Sequence, residues 1–60
     1  MASIKVKYIA LKPELKNQTQ VFEGKTRIDC WNAMYEFNDW LAKGQKFETL
    51  YSTSILEIKD

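Results

Sequence analysis

"RIDCWNAMYEFNDWLAKG", residues 27–44, is the stretch that decides the fold. At about 100° per residue, Cys30, Ala33, Met34, Phe37, Trp40 and Leu41 fall within one arc of about 120°, the width of a helical stripe that packs on a core. Asp29, Asn32, Glu36, Asp39 and Lys43 take the opposite, wet side. Thr26 is a suitable N-cap, and Asp29 three residues later makes a capping box with Asp in place of Glu. Its charge sits in the first turn, where the helix dipole favours it. Lys43 and Gly44 are the matching stop signals, so the spacing predicts a helix of about 16 to 17 residues, about 25 Å long. A third sector remains, holding Ile28, Trp31, Tyr35 and Ala42, broken only by Asn38.

Upstream, "SIKVKYIAL", residues 3–11, alternates Ile4, Val6 and Tyr8 with Lys5 and Lys7, the period of a strand with one buried and one wet face. "KPELKN", residues 12–17, carries the only proline and reverses the chain. "QTQVFEGK" supplies a second, shorter strand around Thr19 to Glu23, ended by Gly24. Downstream of the helix, after the connection "GQKFE", "TLYSTSILEIK" is rich in β-branched and aromatic residues. It alternates near its end, with Leu56 and Ile58 set against Glu57 and Lys59. The order is therefore ββαβ within a single domain, residues 1–60. The simplest topology is an α+β fold: a three-stranded antiparallel sheet in the order 2-1-3, with the helix on one face and the other face bare.

Sixty residues bury only about 60% of the surface that the unfolded chain exposes, which leaves little room for a multistep active site. With 45% hydrophobic residues, two glycines and one proline, the composition is that of a folded domain. "MASIKVKYIALKPELK" reaches a lysine every few residues and holds no apolar run suited to a secretory signal or a membrane span. A cytosolic protein is the expectation, with no membrane partner, and the single cysteine fits a reducing compartment.

Histidine is absent, so the usual general base near neutral pH is missing, and Cys30 lies in the apolar stripe with nothing to make it a thiolate. The glycines are isolated, so no phosphate-cradling loop is formed, and no loop is dense enough in oxygen ligands for a hard metal. The reading is a non-enzymatic protein with no catalytic residue, no metal and no cofactor.

Charge is distributed unevenly. Residues 1–27 hold six basic against two acidic side chains, +4, and residues 28–60 hold three against six, −3. Two surfaces follow as candidates. The first joins Trp31, Tyr35 and Ile28 as apolar anchors to a rim of Asp29, Glu36 and Asp39, because aromatic side chains dominate binding energies and a three-stranded sheet has too little area to cover both apolar sectors. If the helix rolls, or the loops "KPELKN" and "GQKFE" fold over the sector, Trp31 and Tyr35 are instead peripheral core. A homodimer through the same sector is the related alternative. The second surface is nucleic-acid binding by Lys5, Lys7, Lys12, Lys16 and Lys25, with Tyr51 or Ile55 as neighbours on the open sheet face. The edge strand around "TQVFE" also has free backbone groups for pairing.

The element order, with "QVFEGKT" running into an aromatic-containing helix, resembles small ββαβ proteins encoded by bacteriophages, nearest among them the short phage inhibitors of host RNA polymerase. Phage antitoxins and anti-CRISPR proteins are similar in size and style. The resemblance covers element order alone and carries over no functional residue. It implies a protein that works in the host cytoplasm by binding one host or defence enzyme and blocking it, often through a charged face.

Overall fold

The computed structural model describes all 60 residues. Strand β1 spans Ala2–Ala10, β2 Gln18–Gly24, helix α1 Arg27–Ala42 and β3 Tyr51–Lys59, with a single 3-10 turn at Phe47–Thr49 inside the connection to β3. The sheet is antiparallel, ordered β2-β1-β3. This is the α+β architecture that the hydrophobic periods predict.

Alternation in β1 sets the two faces. Ala2, Ile4, Val6 and Tyr8 are buried, and Lys5 and Lys7 between them are exposed. Because residues opposite one another in register share a face, Ile4 sits between Phe22 and Ile58, and Val6 between Gln20 and Ile55. Helix α1 closes over this face with Cys30 and Met34 innermost and Ala33, Phe37 and Leu41 packed beside them.

The start of α1 is held as the sequence predicts. The Asp29 N–H donates to Thr26 Oγ1 at 3.3 Å, and the Thr26 N–H donates to Asp29 Oδ2 at 3.2 Å. Gly24 lets the chain turn tightly into the helix, since a Cβ there would lie 2.5 Å from Asp29 Cβ. At the other end Lys43 itself adopts the left-handed conformation, φ 50°, and its N–H donates to the Asp39 carbonyl; Gly44 follows at φ 86°.

Tyr8 is the hub of the core. Its ring meets Phe37, Phe47 and Tyr51 edge-on, with centroids 5.5, 5.9 and 6.1 Å away. Its hydroxyl donates to Asn38 Oδ1 at 2.5 Å, which explains the single polar interruption beside the apolar sectors of the helix. Burial pushes the phenol up to about 12, because the phenolate would be desolvated.

Three expectations are corrected. Trp40 is 66% exposed rather than core: it lies about 120° round the helix from Met34, so its ring overhangs the sheet and stacks on Phe37 at 5.7 Å. In β3 the alternation breaks, because Lys5 faces Glu57 while Val6 faces Ile55, leaving Leu56 as an extra residue in a β-bulge. Leu56 and Ile58 therefore do not form one regular stripe; the bulge returns Ile55 to the helix side together with Ile58. Tyr51 and Ile55 also do not neighbour Lys5 and Lys7, since Tyr51 pairs with Ala10 and Ile55 with Val6 on the helix side.

Candidate functional site

The helix covers only part of the sheet. It packs against β2 and β1 and makes no close backbone approach to β3. The consequence is visible along β3, where Tyr51 is buried and every following residue is exposed. Ile55 and Ile58 point to the helix side yet remain 40% and 43% exposed. The backbone of α1 does not come close to them.

The third sector of α1 borders this bare strip. Tyr35 is 57% exposed and Ile28 70%, whereas Trp31 is half-buried against the core with its ring 6.4 Å from that of Tyr35. Of the two aromatic anchors expected from the sequence, Tyr35 is thus free and Trp31 serves both core and surface. Between α1 and β3 runs an open trough of about 570 Å³, lined by Met34, Tyr35, Phe47, Tyr51 and Thr53 together with Glu48. "GQKFE" contributes Phe47 to the floor of this trough without closing it, and "KPELKN" lies at the other side of the helix, where Leu15 reaches the core margin.

The expected acidic rim divides. Glu36 and Asp39 are exposed, and Asp39 follows Tyr35 by one turn on the same side. Asp29 is occupied by the capping box and belongs to the helix start. Glu48, which sequence reasoning passed over because it sits in a connection, takes its place as an acid in the trough. Below Ile28, Arg27 pins the end of β3: its Nε and Nη2 donate to the Asp60 carboxylate at 2.5 and 2.7 Å. That pair holds the Asp60 carboxyl below its ordinary range.

The opposite sheet face is different in kind. Lys5 lies between Val21 and Glu57, and Lys7 between Thr19 and Ser54. No aromatic ring is on this face, and Lys5 has an acid opposite it. Lys12 and Lys16 belong to the loop beyond one end of β1 and Lys25 to the turn at the other, so the five lysines are spread along the molecule instead of gathered.

A second hollow, about 340 Å³, lies where exposed Trp40 meets Leu41, Leu50 and Leu15. Assigning Trp40 to the core hides it from sequence reasoning. Cys30 is fully buried, and no three acidic or sulfur side chains converge to hold a metal. No helix is long and apolar enough to cross a membrane.

Comparison with protein-family models, with curated proteins and with solved structures finds no match for this chain.

Proposed function

We propose that the protein is a small non-enzymatic binding protein that modulates or inhibits another protein by occupying its surface. The observation that carries the reading is the strip of sheet left uncovered: Ile55 and Ile58 lie open on the side of α1 that carries Tyr35 and Ile28, with Asp39 and Glu48 as the acids near Tyr35. In so small a domain, adjacent exposed apolar side chains with acids beside them have the make-up of a binding patch. Tyr35 and Ile28 act as anchors, Trp31 braces them from below, and the acids select the partner's charge. An inhibitor of the kind small phages direct at a host or defence enzyme, acting in the host cytoplasm, is the form of this function that the element order favours.

The test is capture from a bacterial lysate by the tagged protein, with and without nuclease, beside a Tyr35→Ser, Ile28→Ser variant checked for folding. One retained protein, indifferent to nuclease and lost with the variant, supports the reading. Retention that vanishes with nuclease and survives the variant moves the function to Lys5, Lys7 and their loop lysines.

A further inference from the structure

We infer that the strip beside α1 seats a single α-helix of the partner, amphipathic and flanked by basic residues. The inference rests on the binding-surface reading above and gives it an occupant.

Width is the first argument. Neighbouring strands lie about 4.8 Å apart and packed helices 8–10 Å apart. Since α1 lies over β2 and β1, a second helix packed beside it falls about two strand spacings away, over β3 and its outer edge. Ile55 and Ile58 then form the floor, and Ile28, Trp31 and Tyr35, spaced i, i+3 and i+7 on α1, form the wall. Such a ridge is what a neighbouring helix packs against.

Charge is the second argument. At the end of the strip where Tyr35 stands, Glu48 lines the trough, Asp39 lies one turn beyond Tyr35, and that trough's lining includes no lysine or arginine. At the lower end, Arg27 is engaged by Asp60 and Lys59 by Glu57. A helix with lysine or arginine beside its apolar stripe complements this margin.

The same geometry argues against other occupants. Two copies joined through β3 would hold their α1 helices about four strand spacings apart, about 19 Å, which leaves the strip open. The bulge at Leu56 interrupts the regular ladder that an added strand needs.

The experiment is a titration of the isotope-labelled full chain, followed by amide chemical shifts, with a five-turn helical peptide of about 18 residues carrying leucines at i, i+3, i+4 and i+7 with lysines at the flanks. A second peptide replaces the lysines with glutamates, and a third breaks the helix with a central proline. The expected result is movement confined to Ile28, Trp31, Tyr35, Ile55, Ile58 and their neighbours, with binding at least about ten-fold weaker for each control peptide and for Tyr35→Ser. Glu48→Lys with Asp39→Lys should favour the glutamate peptide. Equal binding of all three peptides, shifts on the Lys5 and Lys7 face, or no binding overturns the inference. So does a concentration-dependent dimer that buries the same residues. Tyr35-dependent capture of a lysate protein without peptide binding rejects the helix and leaves the surface standing; loss of both rejects both.

Discussion

Two halves of one sheet face have the same apolar character and opposite fates. Ile4 and Val6 of β1 are sealed beneath α1, while Ile58 and Ile55, their direct partners on β3, stand open. Neither hydropathy nor strand propensity separates the two pairs. The difference is that one helix about 10 Å across spans roughly two strands of three, and Cys30 and Gly24 bring it down over β2 and β1. Burial in a domain this small is thus limited by the number of covering elements, and part of the surplus apolar surface is left on the strand that lacks one.

The largest effect expected from this contrast is in the sealed half. Ile4→Ala should cost about 2–4 kcal/mol and Ile58→Ala less than about 1 kcal/mol, read from urea midpoints of the two variants. Similar losses at both sites would break the comparison. Gly24→Ala comes next, about 1–3 kcal/mol, because the new methyl meets a Cβ attached directly to backbone rather than a flexible side-chain tip.

Tyr8→Phe should cost about 1–2 kcal/mol by leaving the Asn38 carbonyl unpaired near the core. The pH dependence sharpens the assignment. In the unfolded chain the phenol ionises at its usual 10.0 and in the fold only at about 12, so the stabilising preference for the neutral form is complete below pH 10 and is lost as pH rises towards 12. Alkaline unfolding followed by circular dichroism should therefore fall less steeply over that window in Tyr8→Phe. The smallest effect is predicted for Arg27→Ala, which removes an exposed ion pair and should leave the thermal midpoint nearly unmoved while loosening the end of β3 in hydrogen exchange.

Much of the fold is legible in the residues themselves. Alternating lysines fix the faces of β1, Thr26 with Asp29 fixes where α1 starts, and Lys43–Gly44 fixes where it stops. What the pattern leaves open is rotation and phase. Trp40 and Tyr35 lie at opposite margins of the helix stripe, and only the width of the sheet beneath decides that both are left outside. The bulge at Leu56 is hidden because "SILEI" reads equally well in either phase, and pairing with β1 selects one. The acidic margin is partly readable: Asp39 follows from helical spacing, whereas Glu48 joins it through the path of a connection.

The measurement that tests the central claim most directly is the thermal midpoint of Ile28→Ser, Tyr35→Ser against the unaltered chain. A destabilisation of 1 kcal/mol shifts the midpoint of a domain this size by about 4–8 °C, so the method resolves the alternatives. If the sector is a surface kept for a partner, the two midpoints agree to within about 3 °C. A fall of about 10 °C or more would show that Ile28 and Tyr35 hold the fold together, and would contradict the account.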